Sequence, residues 1–377
     1  MKRLGAVMVI AFSLSVVCVA QTPSPTPPEM PERILTEEII LNVTAVDRSG
    51  RFVSDVKKED IVISEDGRLH QANSVRYVPA SVLIAMDMGG EIRQKKNITT
   101  TRAIAQTLVA GLKGGTEIAL MQFHDKVEFL SEWSTDTTEL TKIIGSRTSF
   151  GRRASFSSAI ASAAGFFQKS PRENRHLILI TDGLDSVEDK TVRSESIRRL
   201  WQSGIVVHVI SYTQIEYQAF KPQARIWREG DYDPKRMPDQ VLASLAHSLP
   251  VRRLIAEEIL KQVYQPRLFS ILIDIPFLKS RREHLKALGT SQVQLSTLAE
   301  YTGGEFVLPD QLSEIVDQAE RVSQSINSQY VVTYSPKRPL TETLVDEIRE
   351  VSVSSRRPDL DLRASRRLVV FAAEEKK

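Results

Sequence analysis

The sequence predicts an α/β fold: a doubly wound, mostly parallel sheet with a small β-rich unit beside it. Two observations carry that reading. From residue 81 onward, apolar runs of strand length alternate with segments of helical period. Towards both ends the chain instead reads as short strands separated by turn signals. Strands that are apolar on both faces and separated by helices indicate a parallel sheet covered on both sides.

The buried strands of the sheet are Ser81–Met86 (SVLIAM), Thr116–Phe123 (TEIALMQF), His176–Ile180 (HLILI) and Ile205–Ser211 (IVVHVIS). Between them lie helix-period stretches near Lys95–Leu112, Thr137–Ile144, Ser157–Phe167 and Arg193–Gln202. In the first of these Ile104, Leu108, Val109 and Leu112 share one face. Lys126–Leu130 extends the second strand as a hairpin. The rhythm returns later with Leu285–Tyr301 as helix, Gly304–Leu308 as strand and Gln311–Ile326 as helix.

At the front, Glu38–Asp47 alternates polar and apolar side chains, and Ser49-Gly50 and Asp66-Gly67 mark turns around Ile61-Val62-Ile63. About 40 residues is little for an independent core. Gln329–Tyr334, Ile348–Ser354 and Leu360–Phe371 also read as strands. The two ends of the chain are therefore expected to pair into one β unit, since each alone leaves open edges.

This gives a provisional layout. Residues 1–20 read as a secretory signal peptide: Lys2 and Arg3, an apolar stretch from Leu4 to Val19, and Ala20 for cleavage. Residues 21–33 are a Pro-rich linker, with five prolines in TPSPTPPEMP. An N-terminal β-rich unit spans 34–78 and the α/β domain begins at 79–212. Residues 213–290 interrupt it, with a polar surface excursion from Tyr217 to Asp239. The α/β domain closes over 291–327, and 328–373 supply the C-terminal strands.

Composition narrows the function. Fifty Lys and Arg against 47 Asp and Glu leave +3, which gives no electrostatic reason to expect nucleic acid. The single cysteine, Cys18, sits in the signal segment, so cleavage near Ala20 removes thiol catalysis and Cys-based metal sites. The same segment could instead stay as an anchor, or carry a lipid on Cys18. No later run is apolar enough to span a membrane, and the signal segment makes a secreted or periplasmic mature chain the expectation. Glycine-rich nucleotide loops, G-x-S-x-G and H-E-x-x-H are all absent. His176 and His208 fall on strands and read as buried structural residues.

The informative feature is a pair of strand ends. One strand delivers Asp87 at its carboxyl end, and another delivers Asp182. In open parallel sheets the functional crevice lies outside those ends, near the point where strand order reverses. Two carboxylates there could hold a hard divalent cation.

The order strand–Asp87–helix, then HLILITDG (His176–Gly183), then IVVHVIS, resembles a von Willebrand factor type A domain on a Rossmann-like sheet. Leu298–Pro336 is similar to the end of that domain in secreted bacterial proteins. Val43–Gly67 is similar to the β-rich preface of the same proteins, a group known mainly from Acidobacteria. The resemblance covers most of 38–371, the 213–290 insertion excepted. It implies a metal-ion-dependent adhesion site: D-x-S-x-S on the first strand, a Thr from a middle loop, and the Asp of a T-D-G turn. Asp87 and Asp182 match the two Asp positions. Gly89 and Glu91 stand at the two serine positions, and the Thr position falls at Arg153 or Ala154.

Gly89 offers no side-chain oxygen, and Glu91 would neutralise the cation's residual charge. The expected site is therefore degenerate. Either it is vacant, or a guanidinium from Arg152 or Arg153 pairs with Asp87 or Asp182 in place of metal. Alternatively, Asp87, Glu91 and Asp182, with Asp185 beside them, hold Mg²⁺, Ca²⁺ or Mn²⁺ weakly. The expected activity is non-enzymatic: binding of a protein partner through a rim that includes Gly89, Arg152, Arg153 and Asp185. The rivals are a Mg²⁺-dependent adhesion module, a metal-dependent hydrolase using Asp87, Glu91 and Asp182, and a purely structural envelope component.

Overall fold

The computed structural model describes residues 38–90, 96–170, 172–186, 190–224, 275–338 and 347–370. The expectations for the signal segment, the linker, the middle of the insertion at 225–274 and Glu91 lie outside these residues.

The chain opens with β1 (Ile39–Asp47), β2 (Ile61–Glu65), β3 (Arg68–His70) and β4 (Ser74–Arg76). It then enters the α/β alternation: β5 (Ser81–Asp87), α1 (Ile98–Gly111), β6 (Glu117–Phe123), β7 (Val127–Phe129), α2 (Thr137–Arg147), α3 (Phe156–Phe167) and β8 (Arg175–Thr181). Next come α4 (Lys190–Gln202), β9 (Val206–Ser211), α5 (Thr213–Ala224), α6 (Ile275–Thr302), β10 (Phe306–Val307) and α7 (Leu312–Asn327). The chain ends in β11 (Gln329–Tyr334), β12 (Glu347–Ser355), β13 (Leu360–Arg363) and β14 (Ser365–Val370).

The central sheet runs β10-β9-β8-β5-β6-β7. Every pairing in it is parallel except that of β7, which folds back against β6 as an edge hairpin. The two-sided apolar strands explain the arrangement. Val82, Ile84 and Met86 of β5 face one core, shared with Ile104 and Leu108 of α1, Ile144 of α2 and Val322 of α7. Leu83 and Ala85 face the other, shared with Phe156 and Ile160 of α3, Leu200 of α4 and Leu295 of α6. All of these are at most 1% exposed, as a doubly covered sheet requires. The expected α/β class is what forms.

Two antiparallel sheets flank the central one, ordered β13-β1-β11-β4 and β14-β12-β2-β3. Each interleaves strands from both ends of the chain: β1 pairs with β11, and β2 with β12. Their inward residues, among them Leu41, Val43, Ile63, Val332 and Val351, make a third core. The alternation that read as strand in the sequence is the alternation of faces here.

Of the stretch Tyr217–Asp239 read as a surface excursion, residues 225–239 lie outside the described ones, and its beginning belongs to a packed helix. Thr213–Ala224 is helical and packs on α6, because Ile215 and Phe220 turn inward and are buried. The helix expected from Leu285 begins earlier, at Ile275. Among the described residues no helix is long and apolar enough to cross a membrane.

Candidate functional site

Strand order reverses about β5, whose neighbours are β6 on one side and β8 on the other. The carboxyl ends of β5 and β8 therefore open the crevice that such sheets use for ligands. Asp87 closes β5 with its carboxylate fully buried, and Asp182 follows β8 with its side chain 9% exposed.

Between them stands a residue that the sequence reading did not single out. Lys96 Nζ lies 3.1 Å from Asp87 Oδ2 and 2.7 Å from Asp182 Oδ2, with its side chain 1% exposed. It is anchored at its other end too: its backbone N–H donates to Oε1 of buried Glu216 on α5 at 2.5 Å. The residue after it, Asn97, caps α1 by accepting the Thr100 N–H at 2.8 Å. The start of α1 thus delivers the ammonium to the strand ends.

The carboxylates are otherwise occupied by internal donors. Asp87 accepts from the Thr181 hydroxyl at 2.6 Å and from the Gly89 amide at 3.1 Å. Asp182 Oδ1 accepts the Leu184 N–H at 3.0 Å. Burial pushes the Asp87 carboxyl up to about 6, with Lys96 opposing that rise and Asp182 adding to it. Burial alone would lower Lys96, but Asp182 and Asp87 beside it hold the ammonium above the usual lysine range. The three groups form a triad in which one ammonium stands between two carboxyl groups.

The loops above this triad are stitched together. The Gly151 amide donates to the Met88 carbonyl at 3.2 Å. The Ala154 amide donates to the Ser186 hydroxyl at 2.8 Å, and the Ser186 amide returns to the Ala154 carbonyl at 3.0 Å. Asp185 accepts from the Ser157 amide at 3.0 Å and its hydroxyl at 2.5 Å, fixing the first turn of α3. Gly89 is packed against the middle loop: a Cβ there would fall 1.8 Å from the Arg153 carbonyl oxygen. Gly183 closes the T-D-G turn at φ 68°, where a side chain is strained.

Arg152 and Arg153 are exposed, and both backbone amides donate to Asp125 at 3.1 Å. The cation that pairs with Asp87 and Asp182 is therefore an ammonium from the start of α1, a residue outside the three expected alternatives of a vacant site, a guanidinium from the middle loop or a weakly held metal. Gly90, Lys96, Ala154, Asp182, Leu184, Asp185, Ser186 and His284 line a cleft of about 210 Å³ over the triad.

Residues 82–184 match the family model of the von Willebrand factor type A domain. The central domain has the von Willebrand A fold. The solved structures to which the chain is similar include a von Willebrand factor type A protein from Catenulispora acidiphila, at 10% identity and a TM-score of 0.42 over 86% of this chain and 76% of that one. An aerotolerance-related membrane protein from Bacteroides fragilis aligns at 15% identity and a TM-score of 0.38, over 66% of this chain and 98% of that one. The manganese-loaded TRAP protein of Plasmodium vivax aligns at 12% identity and a TM-score of 0.36, over 88% and 98%. No curated protein matches the sequence.

The von Willebrand A fold brings with it the expectation of a divalent cation at the two Asp positions. The residues described here do not fit one. Lys96 Nζ stands at hydrogen-bond distance from both carboxylates, where a metal would have to sit. The position at Gly89 has no oxygen and no room for one. Among the described residues no group of three or more His, Cys, Asp or Glu side chains could hold a metal ion.

Proposed function

We propose that this protein is an exported, non-enzymatic interaction module that grips a protein partner by the crevice rim of its von Willebrand A domain. One observation carries the reading: the loops after β5 and β8 and the loop before α3 are bonded to one another, and they present Arg152 and Arg153 on backbone fixed by Asp125. A rim ordered before binding loses little conformational entropy on association. The arginines suit an acidic partner surface, since a guanidinium pairs bidentately with carboxylate. The carboxylates below are committed to Lys96, Thr181 and backbone donors, an arrangement that suits support better than proton transfer.

Export rests on the segment 1–20, with the Pro-rich 21–33 as the linker between it and the folded part. The layout of 34–78 with 328–373 as one β unit, and of 79–212 with 291–327 as the A domain, belongs to the same proposal. So does a role for 213–290 in specificity, since long surface insertions often carry it.

The test is capture of partners from envelope and secreted fractions by the chain from residue 21 onward, with Arg152→Glu/Arg153→Glu as the comparison. A specific partner lost with the charge reversal, retained in chelator and weakened by salt, supports the reading. Equal capture by both proteins, or capture that requires a divalent cation, overturns it.

A further inference from the structure

We propose that Lys96 is a built-in cation that holds the metal position of the crevice, so that removing its ammonium uncovers a divalent-cation site. The inference does not depend on which partner, if any, the rim binds. Three observations converge on it. Nζ lies within 3.1 Å of a carboxylate oxygen from each of the two strand ends. Both ends of the lysine are fixed, the backbone by Glu216 and the side chain by the two Asp residues. Its side chain is 1% exposed, so the ammonium has left water and depends on those partners for its solvation.

The charges facing this position decide its chemistry. Asp87 and Asp182 supply two carboxylates at the ammonium, Glu216 holds the Lys96 backbone, and Lys96 supplies one positive charge. A divalent ion at the same place would leave residual positive charge to draw a partner's carboxylate. A monovalent ammonium between two carboxylates leaves none. The crevice itself then repels an acidic ligand, and any acid-reading contact moves outward to Arg152 and Arg153. Assembly of the site also becomes independent of metal supply.

With the ammonium gone, the Asp87 and Asp182 carboxylates, each within 3.1 Å of the Nζ position, face one vacated place with oxygen donors of the kind hard cations prefer. Mn²⁺ is a suitable probe, because its paramagnetism broadens nearby amide resonances. The wild-type protein, at millimolar Mn²⁺, is expected to show no broadening at Gly183 and Leu184. Lys96→Ala is expected to show saturable broadening there, absent in Lys96→Ala/Asp182→Asn. Saturable binding by wild type at these amides overturns the proposal, and so does a folded Lys96→Ala that binds nothing.

Should Lys96→Ala fail to fold, amine modification of the wild type followed by peptide mass analysis gives a separate reading. Lys96 is expected to react at least tenfold more slowly than Lys126, whose side chain is 69% exposed. Equal rates would mean that the ammonium does not reside between the carboxylates.

Discussion

Asp87 and Asp182 are legible in the sequence because a buried apolar strand that ends in an acid points that acid into the crevice. Lys96 is harder to see, since it stands nine residues after Asp87 and only the fold, not the spacing, returns it to the same place. A signal was nonetheless present. In a strand–helix crossover the helix starts at the strand's carboxyl end, so a lysine one residue before the cap Asn97 is near Asp87 by construction. Gly89 shows the same logic in reverse. Its missing hydroxyl reads as a lost metal ligand, but the structure shows the reason for glycine to be steric. Gly89→Ser should therefore not restore a ligand. It should displace the Arg153 carbonyl and destabilise the fold by roughly 1–3 kcal/mol, the usual cost of overpacking. Urea unfolding of the variant checks the size, and an unchanged midpoint would show that the middle loop yields freely.

At the scale of elements, the parallel strands were readable because both faces are apolar, while α5 was hidden by its polar composition: among its described side chains the buried ones are Ile215 and Phe220 with the polar Thr213 and Glu216. A second buried polar feature links β8 to β9. The Glu305 amide donates to His208 Nδ1 at 3.2 Å, so the network assigns the proton of His208 to Nε2. That proton is shared with His176 Nδ1 at 3.1 Å, and His176 Nε2 in turn donates to Asn174 Oδ1 at 2.7 Å. Asn42 on β1 donates to the same Oδ1 at 2.7 Å, which ties the central sheet to the flanking one. The chain of bonds requires both rings neutral. Burial lowers His208 to about 3 and, with His208 adding to it, holds His176 well below the usual histidine range. The unfolded chain binds these protons near 6.5 and the folded chain does not, so stability is full above 6.5 and is lost as pH falls from there towards 3. His208 alone should account for a loss on the order of 3 kcal/mol by pH 4. Urea midpoints measured from pH 8 to 4 should fall for wild type and fall less for His176→Gln/His208→Gln. Parallel slopes would remove the pair as the cause.

Across the whole molecule, the first and last strands close the same two sheets, so the flanking unit cannot form until the chain between them has been made. The sequence shows this through size: neither end holds enough apolar residues for a core, and together they supply one. What it does not show is that the join carries charge. Glu65 on β2 and Arg349 on β12 meet at 3.1 Å with both side chains 2% exposed. Tyr334 on β11 donates to Glu65 at 3.4 Å, and His70 on β3 lies 3.5 Å from it. Arg349 also donates to Glu347 and to the Arg338 carbonyl, so one guanidinium satisfies groups from two segments. In an interior of this kind the attraction roughly offsets the desolvation of both ions, and the penalty falls on whichever partner is left alone. Arg349→Met should then cost about 3–5 kcal/mol by leaving the buried Glu65 carboxylate with only the more exposed Arg338, 3.8 Å away, as an ion partner. Glu65→Gln/Arg349→Met should recover much of that loss, because neither buried charge remains. The four proteins of this cycle, compared by urea unfolding, give the coupling directly. If the double variant is as unstable as the sum of the two single ones, the pair does not act as a unit, and the flanking sheets owe their closure to the apolar core alone.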